Sequence, residues 1–316
     1  MAILLIHTGG TIGMVQTDNG FAPRKGVVEN QVKAFQSQGA VSGEIDIHLL
    51  EPLIDSANAS PADWSRVADV IFEKHDTYDG FVVTHGTDTL AYTAAALCFA
   101  LEGLTKPIIV TGAMLPLSVE GSDGDRNLLD SLLAAQSASK GVWVQFAGQL
   151  MHGARTRKSH STEFDAFRVN EGGDAPVQTG ATLINHPYNE HKVSILAMAP
   201  GLPTDLFQYA AENSDALLLR VYGSGTAPES EGLKQALITA KSRNIPVLAV
   251  SQCPEGGMAL GTYAAGAILR DNGVIDGRDM TVEAAYAKLQ HALSQTGDPA
   301  RNRIGRLQDC LCGEFT

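Results

Sequence analysis

The sequence is poor in the features that would set it apart from ordinary globular proteins. Aromatic residues make up 6% and charged residues 18% of its 316 positions, against 44% hydrophobic. That balance excludes collagen-like, coiled-coil and disordered chains. No segment approaches the roughly 18 uninterrupted apolar residues of a membrane span. The opening run Ala2-Ile3-Leu4-Leu5-Ile6 lacks the basic flank and the cleavage site of a signal peptide. Cysteines number four, at 98, 253, 310 and 312, too sparse for a disulfide framework, and Cys310-Leu311-Cys312 reads as incidental rather than as a redox pair. The nine histidines contain no H-E-x-x-H and neither cysteine pair has zinc spacing, so no metal site is expected. Positive charge is also short: 23 Lys and Arg against 35 Asp and Glu leave a net charge of −12. That argues against a nucleic-acid or anionic-membrane partner. A soluble, cytoplasmic protein is the expectation.

What is present is a rhythm. Short apolar, β-branched runs at Ile3-Ile6, Ile45-Leu50, Gly80-Thr84, Pro107-Thr111, Val142-Phe146, Val193-Ala197, Ala216-Val221 and Val247-Ser251 alternate with helical patterns. Near-continuous hydrophobicity suits parallel strands covered on both faces. Helices are expected over Ala62 to Lys74, Leu90 to Glu102, Leu128 to Ser139 and Glu231 to Ser242. The first has Ser60 as N-cap and Pro61 at the first helical position. The alternation predicts an α/β fold with doubly wound sheets. It breaks near 170–192 into Gly, Asn, Pro and charged residues, where His186 and His191 read as surface residues. The expected division is a larger N-terminal catalytic domain over 1–180, a linker over 181–192 and a smaller C-terminal α/β domain over 193–316.

Three constellations stand out. Thr8-Gly9-Gly10-Thr11-Ile12-Gly13 follows the first strand, at the edge where open α/β sheets bind ligands. Its glycine spacing differs from the dinucleotide fingerprint, and Gln16 to Gly26 carries loop chemistry where that fingerprint needs a helix. His85-Gly86-Thr87-Asp88-Thr89 follows a second strand and opens a helix, so its hydroxyls could be simple caps. A second hydroxyl-bearing turn at a strand end favours a site. Arg155-Thr156-Arg157-Lys158 is a basic cluster in an acidic chain, either a solvated loop or a lysine whose ammonium form is disfavoured by crowding. Such a lysine beside a carboxylate and a hydroxyl makes a nucleophile-activating group.

These motifs, with Asp55-Ser56, Val110-Thr111-Gly112-Ala113 and Asp279-Met280-Thr281-Val282-Glu283-Ala284, resemble the bacterial-type L-asparaginases, in particular the cytoplasmic type I branch. The likeness runs through essentially the whole chain. It implies two α/β domains and hydrolysis of L-asparagine to L-aspartate and ammonia, without metal or cofactor. Carried over motif by motif, Thr11 is the nucleophile that forms an acyl-enzyme, and Thr87, Asp88 and Lys158 form the second catalytic group. Ser56 holds the substrate α-carboxylate and Asp88 its α-ammonium, with Thr87, Gly10 and Gly86 also lining the substrate. The resemblance further implies a homodimer or homotetramer.

One departure bears on mechanism. Type I relatives usually carry Tyr in the loop after TGGTI, where this chain has Phe21. Another group could then activate Thr11, Thr87 with Lys158 could carry more of the work, or substrate or rate could differ. Arg157 beside Lys158, where relatives often carry Thr, is a second departure. Two alternatives therefore stand beside the asparaginase: a glutaminase-leaning amidase, since one methylene discriminates by only about 1–3 kcal/mol, and a non-catalytic amino-acid sensor.

Overall fold

A computed structural model of the chain describes residues 1–170, 172, 175–295 and 299–316. The chain divides into two compact units, Met1–Val169 with Asp174–Pro187, and Asn170–Gly173 with Tyr188–Thr316.

In the first unit, six strands form one sheet in the order Glu44–Ile54, Ala2–Gly9, Gly80–Thr84, Pro107–Thr111, Gly141–Phe146, Gln149–His152. All neighbours are parallel except the last pair. Alternate side chains of the first strand point to opposite faces, and both faces are covered. Ile3 and Leu5 join a core with Val28, Val32, Leu128 and Leu132 from two helices, while Leu4 and Ile6 are buried on the other side. Burial on both faces is why these strands read as unbroken apolar runs. The helix Leu90–Ala100 is the extreme case: every residue except Tyr92 is buried. It ends before Leu101–Glu102, which pairs with Ile184–Asn185. The helix Pro61–Lys74 begins as its sequence predicts, with the Asp63 carboxylate accepting from both the N–H and the hydroxyl of Ser60.

The first strand is followed in sequence by its neighbour on one side, Glu44–Ile54, and then by its neighbour on the other, Gly80–Thr84. Sheet order therefore reverses at Ala2–Gly9, and the crevice at such a switch point is where ligands of open α/β sheets sit.

Several expectations need correction. Residues 16–26 are not an irregular loop: Met14–Thr17 and Gly20–Pro23 pair as an antiparallel hairpin, with Gln16 opposite Phe21. Its turn is closed by the Thr17 hydroxyl donating to Gly20 O at 2.6 Å. Val27–Ser37 is a helix absent from the expected elements, with the Glu29 carboxylate accepting from Gly26 N at 2.9 Å. The helix expected from Leu128 starts a turn earlier, at Gly124. His186 is not a free surface residue, because its Nε2 lies 2.9 Å from Glu102 Oε2, and His191 is half-buried.

The second unit carries a parallel sheet in simple sequence order, Val193–Ala197, Ala216–Val221, Val247–Ser251, Ile275–Asp276, and so offers no switch point. Helices Asp205–Asn213, Glu231–Ser242 and Val282–Ser294 pack on it. Its C-terminal segment is fixed by a fully buried ion pair, Lys288 Nζ to Glu314 Oε1 at 2.6 Å. The N–H groups of Leu311 and Cys312 donate to the same carboxylate. All four cysteines are free. Among the described residues, no helix is long and apolar enough to cross a membrane.

Candidate active site

The sequence-predicted residues Gly10, Thr11, Ser56, Gly86, Thr87 and Asp88 leave the carboxyl ends of three adjacent strands, with Ala2–Gly9 in the middle. Two of the turns that carry them meet backbone to backbone, and the Ser56 side chain of the third packs on one of these. Gly10 adopts φ +85°, and a β-carbon built on it would lie 2.4 Å from Gly86 N. A β-carbon on Gly86 would lie 2.3 Å from Ser56 Oγ. Only glycine permits this approach. Thr11 and Thr87 are each the residue after one of the touching glycines, so the contact sets the spacing of the two hydroxyl-bearing residues.

Thr11 begins the single helical turn Thr11–Gly13 and is half-buried. Two bonds secure the outgoing chain: Leu117 N donates to Ile12 O, and Ser118 Oγ to Met14 O. Ser56 opens a similar short turn, capped by the Asp55 carboxylate, which accepts from Ala57 N at 3.2 Å. The Thr89 hydroxyl donates to Ser56 O at 2.7 Å, fastening this turn to the one that follows Gly86. Thr89 thus acts as a tie between loops rather than as a site hydroxyl.

Lys158 arrives from farther along the chain, on the strand Thr156–Lys158 paired with Phe167–Val169. Its Nζ donates to Thr87 Oγ1 at 3.0 Å and to Asp88 Oδ1 at 3.0 Å. The Lys158 side chain is 20% exposed and that of Asp88 64%, so the pair opens to solvent from the carboxylate side. The Lys158 ammonium thus meets a hydroxyl and a carboxylate. Successive strand residues face opposite ways, which turns Arg157 from the face that carries Lys158. Arg155 lies one residue ahead of the strand, wholly buried in the short turn Gly153–Arg155. Since Lys158 donates to Thr87 Oγ1, the Thr87 hydroxyl proton is free to be given elsewhere.

Sequence reasoning assigned no role to the polar groups behind these turns. His85 lies within a quoted motif and is fully buried, with ring nitrogens beside Gly86 O at 2.8 Å and Thr93 Oγ1 at 3.1 Å. The Asp123 carboxylate accepts from Met114 N and Leu115 N. Asn127 donates to Gly112 O, fixing the fourth strand-end turn. What these side chains bind is mostly backbone N–H and C=O, which every residue carries, so the sequence does not mark the partners. Among the described residues, no cluster of His, Cys, Asp and Glu has the arrangement of a metal site.

Comparison with known proteins finds relatives along the whole chain. Residues 2–187 match the family model "Asparaginase, N-terminal" and residues 192–303 the "Glutaminase/Asparaginase C-terminal domain". The chain is 38% identical to L-asparaginase 1 of Escherichia coli over 332 aligned positions, covering 100% of this chain and 98% of that one. It is 33% identical to the L-asparaginase of Thermococcus kodakarensis, covering 94% of each. The crystal structure of L-asparaginase I from Vibrio cholerae superposes with a TM-score of 0.89 at 34% identity, covering 100% of this chain and 99% of that chain. The chain belongs to the asparaginase family.

Proposed function

We propose that this protein hydrolyses L-asparagine to L-aspartate and ammonia through an acyl-enzyme on Thr11. The observation that carries the proposal is the Lys158–Thr87–Asp88 cluster, fastened through Gly86 to Gly10 and hence to Thr11. An unactivated amide needs a positioned nucleophile, a proton carrier and donors for the oxyanion. Thr11 Oγ attacks the carboxamide carbon, the C–N bond breaks, and ammonia leaves with the proton that Thr11 gave up. Water then adds to the Thr11 ester, aspartate departs, and Thr11 regains its proton. Thr87, its oxygen held by Lys158, directs its free proton toward the reacting groups and orients the water of the second step. Ser56 receives the α-carboxylate and Asp88 the α-ammonium, with Gly10 and Gly86 forming the floor. The family resemblance extends the proposal to a cytoplasmic homodimer or homotetramer.

The test is ammonia release at neutral pH from L-asparagine, L-glutamine and D-asparagine in parallel, by the wild-type protein and by Thr11→Ala. Release from L-asparagine is expected, with loss of about three orders of magnitude in Thr11→Ala. A variant that keeps more than about a tenth of the activity overturns the nucleophile assignment. Binding of an amino acid with no release overturns the enzyme reading in favour of a sensor.

A further inference from the structure

The imidazole of His85 stands behind the reacting edge of the sheet, in contact with backbone rather than with the site hydroxyls. Its Nδ1 lies 2.8 Å from Gly86 O and its Nε2 3.1 Å from Thr93 Oγ1, while its own backbone N–H donates to Thr111 O at 2.8 Å. A carbonyl can only accept, so Nδ1 carries the proton. The neutral ring then presents Nε2 as an acceptor to the Thr93 hydroxyl. Burial keeps the ring neutral: it lowers the pKa, against the opposing pull of the Gly86 carbonyl and the Asp63 charge. There is no slack on the far side, because a β-carbon on Gly112 would lie 2.3 Å from His85 O.

The Gly86 carbonyl belongs to the same peptide unit as the N–H of Thr87. In a trans peptide these two groups point to opposite sides, so tying the oxygen to the imidazole turns the Thr87 N–H away from the ring. Thr87 is only 8% exposed, and its N–H has no acceptor among the described residues. A buried, unpaired N–H is costly and therefore rare. Here it lies one bond from Gly86, the glycine that touches Gly10 and Ser56.

We propose that His85 is a positioning residue, which through the Gly86 carbonyl aims the Thr87 N–H at the substrate carboxamide oxygen, where it stabilises the developing oxyanion. The inference rests on the asparagine-hydrolysing function proposed above. His85 touches no substrate atom. What it supplies is direction, held by one tautomer and one threonine hydroxyl.

Two substitutions separate this role from mere packing. Asn places its amide nitrogen where Nδ1 stood and can still donate to Gly86 O. Gln reaches the Nε2 position and Thr93 but leaves Gly86 O without its donor. His85→Asn is expected to keep kcat for L-asparagine within about threefold of wild type. His85→Gln is expected to lose about tenfold or more in kcat with KM little changed, since misdirecting a donor penalises the transition state. Imidazole ¹⁵N NMR of the wild-type protein gives an independent readout, and the Nδ1–H tautomer of His85 is expected. The proposal is overturned by an Nε2–H tautomer, by equal losses in both variants, by wild-type kcat in His85→Gln, or by a loss confined to KM. Wild-type protein that releases no ammonia overturns the proposed function itself, and this role with it.

Discussion

At Gly86 a missing side chain brings three strand ends within contact of one another. Its Cα lies against Ser56 on one side and Gly10 on the other, and any β-carbon there must displace the Ser56 side chain. Ser56 has little room to yield, since Thr89 holds its carbonyl and Asp55 caps its turn. Gly86→Ala is therefore expected to raise KM for L-asparagine by about tenfold or more, with a smaller change in kcat. Ser56→Ala in the same background should add little further loss, because both changes remove one interaction. Additive losses measured by steady-state kinetics would show that Gly86→Ala does not act through Ser56. At this scale the sequence was informative where chemistry and backbone geometry coincide: Gly10, Thr11, Gly86 and Thr87 sit in short motifs whose glycines and hydroxyls leave few uses. It said nothing of the tie from Thr89 to Ser56 O or of Asn127 to Gly112 O, because each ends on a backbone carbonyl that no residue type marks.

Among the elements, the hairpin Met14–Thr17 with Gly20–Pro23 lies next along the chain from Thr11. Phe21 sits on its second strand and is 46% exposed. Relatives with Tyr at this place can present a hydroxyl from the same backbone. Phe21→Tyr is accordingly expected to raise kcat for L-asparagine several-fold, and unchanged kcat would show that the missing hydroxyl does not limit turnover. The hairpin was hidden in the sequence because Asp18-Asn19-Gly20, Pro23 and Gly26 are turn signals, and turn signals accompany a hairpin as readily as a loop. The longer parallel strands were legible because both their faces are buried, which leaves an apolar run with no interruption. Helix starts were legible where a cap stood next to the first turn, as at Ser60-Pro61. At the helix starting at Gly124 the flanking Asp123 carboxylate is committed instead to Met114 N and Leu115 N, and it is the Ser122 hydroxyl that accepts from Gly124 N. Lys158 was found from its neighbours in sequence, yet the neighbours that matter are Thr87 and Asp88 on another element.

For the whole molecule, acid is the condition to which this fold is most exposed. His7, His75, His85 and His191 all have pKa values lowered from the ordinary 6.5, in each case chiefly by burial. A histidine held neutral in the native state takes up protons more readily when unfolded. Its contribution to stability is therefore complete above about pH 6.5 and is lost as pH falls below that value toward the native pKa. Glu314 adds a second, more acidic window. Burial pushes its carboxyl up, but the charge and hydrogen bond of Lys288 with the N–H groups of Cys312 and Leu311 outweigh that and hold it below the usual range. Stability from that group is present above about pH 4.5 and falls away at lower pH. Urea midpoints are expected to be level between pH 7 and 8 and to drop between 6.5 and 5. A midpoint that stays level down to pH 5 would show that these histidines are not held neutral.

The order of strands also has a consequence for synthesis. Ala2–Gly9 is made before Glu44–Ile54 and Gly80–Thr84, the two strands that flank it, and the lysine of the proposed catalytic cluster is residue 158. From the moment it leaves the ribosome until the second neighbour has followed, the nascent chain carries an apolar strand with an unpaired edge, the kind of surface that templates aggregation. The turns at Gly10, Ser56 and Gly86 can meet once residue 89 has been made, but the Lys158 ammonium reaches Thr87 and Asp88 only about seventy residues later, so the hydroxyl and the carboxylate wait for their cation.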